Sequence, residues 1–258
     1  MVGPTAWTRD TLRDEDWLID FADEHRASPG VLAERVALAL GQGPGLVVVR
    51  GWPADGVDLL CGGLGPLLGA PRGAVNLVRP MTGAAARRGM TDQELALHTD
   101  RAGAPGPPRL LGLLCLRAAA YGGHSLLASG HTVYNRLLAQ CPHVVDELRR
   151  DFHFGAGSTF DRVYPVFQWR QGRLRVHYNR LWIERSQQEA GKPLTAGALA
   201  ALEAFEAVLS DPAVVLRFRL RPGDLLLPDN TVILHGRTAF TDSGASGQSR
   251  CLARLWLD

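Results

Sequence analysis

From Ala213 onward the chain is a succession of short apolar runs broken by turn residues: Ala213 to Leu220, Asp224 to Leu227, Thr231 to His235 and Arg250 to Leu257. Runs this short and this rich in Leu, Val and Ile are strands, and a series of them needs a second layer to cover its apolar face. Earlier segments of the same kind are Leu46 to Arg50, Leu110 to Leu116 and Ser125 to Ala128. Helical signals are fewer. They cover two pieces between residues 10 and 40 broken at Ser28-Pro29-Gly30, then Val57 to Leu68, and about Thr132 to Gln140. A last helix, capped by Thr195, runs to Ser210 with Leu199, Leu202, Phe205, Val208 and Leu209 on one face, and Asp211-Pro212 stops it. The fold class expected is mainly β with flanking helices (α+β), a β-sandwich or jelly roll. Two hairpins are predicted, one about Pro228-Asp229-Asn230 and one within Phe160 to Asn179 turning at Gln171-Gly172.

A chain of 258 residues fits one domain, 1–258, with 151–191 as a substrate-covering insert. The loop from Thr82 to Thr91 reads equally as a lid or as a solvated connection. A net charge of +2 gives no electrostatic case for nucleic acid or a membrane surface as partner, and no apolar run reaches transmembrane length. The first residues lack a basic and then apolar leader, and Cys61, Cys115, Cys141 and Cys251 are dispersed with no C-x-x-C pair. Reduced thiols and a cytoplasmic location are the expectation. Neither Gly41-x-Gly43 nor Gly62-Gly63-x-Gly65 has the strand-to-helix setting of a phosphate loop.

Chemistry concentrates at Glu94-Leu95-Ala96-Leu97-His98-Thr99-Asp100. In an extended segment His98 and Asp100 project to the same side, which offers an imidazole and a carboxylate together. His235, in an apolar run far along the chain, can supply a second imidazole from another strand. Two His and one carboxylate with open positions favour non-haem Fe(II) over zinc. Fifteen residues on, Arg250 and Arg254 point the same way along a strand, and their forked guanidiniums suit an anionic co-substrate. The remaining histidines, His25, His124, His131, His143, His153 and His177, have no partner at ligand spacing.

This order, His-x-Asp, a distant His, then Arg, resembles the iron(II)/2-oxoglutarate-dependent dioxygenases of the taurine dioxygenase and clavaminate synthase-like superfamily. Within it, Pro108 to Arg117, Gly122-Gly123-His124-Ser125 and Asp229-Asn230…His235-Gly236-Arg237 are most similar to the clavaminate synthase, asparagine oxygenase and arginine β-hydroxylase branch. The resemblance implies a double-stranded β-helix. It implies Fe(II) on His98, Asp100 and His235, 2-oxoglutarate on Arg250 with Ser125 and Arg254 as further contacts, and O2 as oxidant. It also implies hydroxylation of an unactivated C–H of an amino acid or derivative, in natural-product (antibiotic) biosynthesis, with 2-oxoglutarate converted to succinate and CO2. Glu94 and Arg180 are the candidates for holding that substrate's amine and carboxylate. Asp100 argues against the superfamily's halogenating members, which lack this carboxylate. The branch usually has Glu at this place and an aromatic-His pair soon after it, where this chain has Ala102-Gly103. Desaturation or cyclisation with the same cofactors, and a non-catalytic jelly-roll binding protein, are the alternatives. Oligomeric state is not legible.

Overall fold

The computed structural model describes residues 3–22, 29–53, 56–81, 88–155, 162–243 and 249–258. In chain order, α1 (Asp14–Trp17) leads into β1 (Leu18–Asp20), and α2 (Pro29–Gly41) precedes β2 (Leu46–Arg50). A helical stretch at 57–68, α3, contains a π-type turn at Leu60–Leu64. Then come β3 (Asn76–Val78), β4 (Leu95–His98), β5 (Leu110–Arg117), β6 (Tyr121–Gly122) and β7 (Ser125–Ser129). The helices α4 (Gly130–Gln140) and α5 (Pro142–Leu148) open a long excursion. It continues through β8 (Asp151–His153), β9 (Val163–Pro165), β10 (Phe167–Arg170), β11 (Arg173–Val176), α6 (Arg180–Glu189) and α7 (Ala196–Leu209). The chain closes with β12 (Val215–Phe218), β13 (Leu225–Pro228), β14 (Ile233–Arg237), β15 (Phe240–Thr241) and β16 (Cys251–Leu257).

Two sheets face each other. One has the order β1-β2-β13-β5-β16-β3 and the other β12-β7-β14-β4. Pairing is antiparallel except for β1 beside β2. The chain passes from one sheet to the other at β4 to β5, β5 to β7, β12 to β13, β13 to β14 and β14 to β16, while the excursion returns from β7 to β12 within the smaller sheet. This is the double-stranded β-helix. The 228–232 turn therefore carries the chain from one sheet to the other, and the hairpin expected about Pro228-Asp229-Asn230 is not formed. Asp229 instead caps the turn through Thr231 N–H at 2.9 Å and Thr231 Oγ1 at 2.7 Å.

Side-chain parity shows which residues face the interior between the sheets. Leu46, Val48, Leu127, Leu226, Ile233 and Leu252 pack into one cluster there. Their neighbours Val47, Val49, Leu225, Leu227, Ala253 and Leu255 point the other way, onto α2 and α3 through Leu32, Val36, Leu60 and Leu64. Strands covered on both faces need no polar alternation, which is why Leu46–Val49 is uniformly buried. On the outside of the smaller sheet, Ala128 and Leu234 join the core of the excursion, with Leu137, Leu148, Phe154, Phe167, Tyr178 and Phe205. Each fully buried Leu or Phe there contributes about 1.5–3 kcal/mol.

Several expectations change in detail. The first of the two helical pieces between residues 10 and 40 is partly strand β1, because Leu18 and Ile19 pair with Val48 and Val49 at the sheet edge. Arg180 to Glu184, expected as a lead into a polar stretch, starts α6, since Asn179 Oδ1 accepts from Trp182 N–H at 3.2 Å. Leu199 is 39% exposed rather than part of the buried face of α7. The hairpin at Gln171-Gly172 forms, with both residues at positive φ, 51° and 74°. Cys115 and Cys251 are buried and Cys61 and Cys141 half-buried, all four free, and burial pushes the Cys115 thiol up to about 12. Residues 82–87 of the expected lid and 156–161 of the insert lie outside the described residues, as does His25. Among the described residues no helix is long and apolar enough to cross a membrane.

Candidate metal centre

The interior faces of the two sheets converge at the ends of β4 and β14. By the parity above, His235 shares the inward face with Ile233, and Leu97, which packs outward, turns His98 inward. His235 and His98 are register partners, with ring centroids 4.5 Å apart. Gly236 allows that approach: a Cβ there would lie 2.7 Å from the Leu95 carbonyl, so the strands could not meet this closely with any other residue.

Asp100 lies in the turn just beyond β4 rather than in the strand. Its Oδ1 is 3.3 Å from His98 Nε2 and 3.5 Å from His235 Nε2. Among the described residues this is the grouping of three His, Cys, Asp or Glu side chains able to hold a metal, with ligand atoms all within 4.8 Å of one another. The turn is held by Asn230, whose Oδ1 accepts from Asp100 N–H at 2.6 Å. Its amide donates to the carbonyls of Asp100 at 3.0 Å and Pro108 at 2.9 Å.

The hydrogen bonds leave ligand atoms free for a metal. His98 Nδ1 is 2.8 Å from the Ala96 carbonyl, which can only accept, so Nδ1 is the donor there and Nε2 is the ring atom turned toward Asp100. Burial, and then the neighbouring His98, hold His235 below the ordinary imidazole value. Burial alone would push Asp100 up, but the two imidazoles outweigh it and leave the carboxyl well below its usual range. Asp100 Oδ2 accepts from Trp256 Nε1–H at 2.7 Å.

The candidate co-substrate residues lie close by in two groups. Arg250 is buried, and its guanidinium lies 5.4 Å from the centroid of the Phe240 ring. A Cβ on Gly123, at φ 67°, would stand 3.6 Å from Arg250 Nε, so this glycine lets the loop before β7 pass close to the cation. Ser125 follows at the start of β7, buried and opposite Arg237. Arg254 belongs to the other group: it faces inward with Leu252, and its guanidinium lies 4.2 Å from the centroid of the Trp256 ring. Sequence reasoning missed Arg237, whose guanidinium lies 4.6 Å from the Phe240 centroid. Burial, with Arg250 adding to it, holds Arg237 down to about 10, and its Nη2 donates to the carbonyls of Thr91 at 2.8 Å and Gln93.

The two substrate candidates have other surroundings. Glu94 is exposed, one residue before β4. Arg180 opens α6, with Nε 2.6 Å from Glu184 Oε1 and Nη1 3.6 Å from Glu206 Oε2. Ala102 is buried in the core of the excursion, and a Cβ on Gly103 would meet the Phe154 carbonyl at 3.1 Å. These two small residues let the turn after Asp100 pack against the excursion.

Comparison with known proteins follows the same geometry. The family model for taurine catabolism dioxygenase TauD, TfdA family matches residues 9–256. FR-33289 synthase of Streptomyces rubellomurinus is 28% identical over 254 residues, covering 89% of this chain and 73% of that protein. A uridine-5'-phosphate dioxygenase from a Streptomyces species is 32% identical over 136 residues, which is 50% of this chain and 49% of the relative. Among solved structures, asparagine oxygenase superposes with a TM-score of 0.68 at 24% identity, covering 94% of this chain and 93% of its own. The non-heme iron oxygenase OrfP, solved with Fe and alpha-ketoglutaric acid, gives 0.65 at 19% identity over 90% and 83%. With the family model spanning almost the whole chain and the fold shared end to end, the protein belongs to the taurine catabolism dioxygenase TauD, TfdA family.

Proposed function

We propose that this chain is an Fe(II)- and 2-oxoglutarate-dependent oxygenase, one domain over 1–258, that hydroxylates an unactivated C–H of an amino acid or amino-acid-derived metabolite. The observation that carries this reading is the convergence of His98 Nε2, Asp100 Oδ1 and His235 Nε2 on one point. Two imidazoles and one carboxylate oxygen are the donor set that suits iron with open positions. Bound there, Fe(II) would supply the activation of O2 that converts 2-oxoglutarate to succinate and CO2 and oxidises the substrate.

The chain's own groups do the holding and orienting. His98, Asp100 and His235 are the ligands. Arg250, fixed against Phe240 and close to Gly123, would pair with the distal carboxylate of 2-oxoglutarate, and Ser125 would donate its hydroxyl to the same co-substrate. Arg254 stands on the Trp256 side of the centre, and we assign it to a carboxylate of co-substrate or substrate. Burial of Arg250 strengthens its pull on an anion, because little water competes. Glu94 and Arg180 remain the candidates for the substrate's amine and carboxylate. An amino-acid substrate is supported by the neighbouring structures, one solved with 3-hydroxyasparagine and succinate and another with (3S)-hydroxy-L-Arg and succinate. A natural-product setting is supported by a relative named as a synthase.

Anaerobic addition of Fe(II) and 2-oxoglutarate tests the reading without a substrate. A visible charge-transfer band is expected in the wild type, absent in His235→Ala and needing more 2-oxoglutarate in Arg250→Ala. A folded wild-type protein without the band would overturn it.

A further inference from the structure

A carboxylate ligand has two oxygens and a soft final torsion, so nothing in an Asp by itself decides whether it offers a metal one oxygen or both. In this chain the two oxygens are already distinguished. Oδ1 faces both imidazoles at 3.3 and 3.5 Å, and Oδ2 accepts from the indole of Trp256 at 2.7 Å. The indole N–H can only donate, and its bond to an ionised carboxylate is of the stronger, charge-assisted kind.

The ring that donates is itself held. Trp256 sits near the end of β16 opposite Leu111, half-buried and on the inward face with Leu252 and Arg254. Two guanidiniums lie over it, Arg254 at 4.2 Å and Arg101 at 5.1 Å from the ring centroid. Arg101 follows Asp100 directly and has φ 54°, a left-handed backbone that a non-glycine residue adopts only when its surroundings impose it. Cations over the π face draw density from the ring and make its N–H a better donor.

We propose, on the reading of the site given above, that Trp256 is a positioning residue of the metal centre: its indole N–H occupies Asp100 Oδ2 and confines the carboxylate to one-oxygen ligation through Oδ1. The consequence is functional. A carboxylate free to swing would take a second position on the metal, and that position is needed by the two donor atoms of the 2-oxo acid or by O2. Residues that hold a ligand in this way typically change metal affinity by about 10- to 100-fold when removed.

The test is Trp256→Phe, which keeps the ring and deletes the donor, read by anaerobic titration with Co(II) alone. We expect binding at least about 10-fold weaker than wild type. We also expect shifted ligand-field bands, since a carboxylate bound through both oxygens displaces a solvent ligand and changes the ligand set. Thermal unfolding of the apo-protein should stay close to wild type, which separates positioning from a purely structural role. Wild-type affinity and an unchanged Co(II) spectrum in Trp256→Phe would overturn the proposal while leaving the metal site in place. Wild type that takes up Co(II) no better than His235→Ala would overturn the metal reading and this proposal with it. If Trp256→Phe does not fold, proton NMR of the wild type serves instead. One indole N–H must resist exchange in the apo-protein and move far more than the others with Co(II), and its absence overturns the proposal.

Discussion

The rim of the two sheets and the excursion between β7 and β12 both carry buried polar side chains, but they use them in opposite ways. At the rim, polar groups are held by their outer atoms: His98 by the Ala96 carbonyl, Asp100 by Trp256 and by Asn230 through its backbone. Their remaining lone pairs converge on one point. In the excursion, polar groups satisfy one another: Arg180 with Glu184 and Glu206, the Tyr178 hydroxyl with Glu206 at 3.0 Å, and Ser186 with Gly155. Among the described residues, the buried side-chain atoms left without a hydrogen bond there are His177 Nδ1 and Arg180 Nη1. The lesson is that burial and polarity do not mark a site; donor atoms left facing one another do.

Breaking the rim should remove binding without removing the fold. His235→Ala is expected to abolish metal uptake in an anaerobic titration while leaving apo-protein unfolding nearly unchanged, since its Nδ1 has no partner to lose. Loss of the fold instead would mean that the imidazole is structural.

The excursion should respond to acid before the rim's geometry matters. His177 is buried there, and burial holds its imidazole down to about 4 from an ordinary 6.5. A folded value below the unfolded one means that protons favour the unfolded chain. The contribution is complete above pH 6.5 and is lost as pH falls through 6.5 toward 4, by up to about 3 kcal/mol. Urea unfolding at several pH values should show this slope in wild type and a shallower one in His177→Phe.

Asn230→Ala tests the tie between β4 and β14. It removes three hydrogen bonds and leaves buried groups unpaired, so a stability loss of about 1–3 kcal/mol is expected. Weaker metal binding should accompany it, because the Asp100 turn is no longer fixed. The smallest effect belongs to Arg180→Ala. Its carboxylate partners are 47% and 45% exposed, so we expect less than about 1 kcal/mol and unchanged metal binding. A raised KM for the substrate in that variant would move Arg180 from the excursion's own network to the substrate.

Much of the fold was legible in the sequence because burial imposes patterns on it. The uniform apolar runs of β2, β5 and β13 announce strands covered on both faces, and the Thr195 cap and Asp211-Pro212 bracket α7. Sequence misled where the answer depended on what lay opposite. Pro228-Asp229-Asn230 has hairpin chemistry, yet its two strands belong to different sheets, a choice made by the partners β5 and β7 rather than by the turn. The strand β1 exists only because β2 offers an edge.

For the candidate site, His98, Asp100, His235 and Arg250 could be named from residue type and order alone, since few side chains can hold iron or a dicarboxylate. Their roles in this chain await the titrations above. Asn230 and Arg237 stood in the motif around His235, but their residue types gave them no role, and Trp256 was a different matter again. An indole occurs all along a chain and carries no order of its own. Only the tertiary structure brings Trp256 across 156 positions to Asp100 Oδ2. Chemistry that resides in a side chain can be read locally, but a hydrogen bond between distant residues is decided when two sheets close on each other.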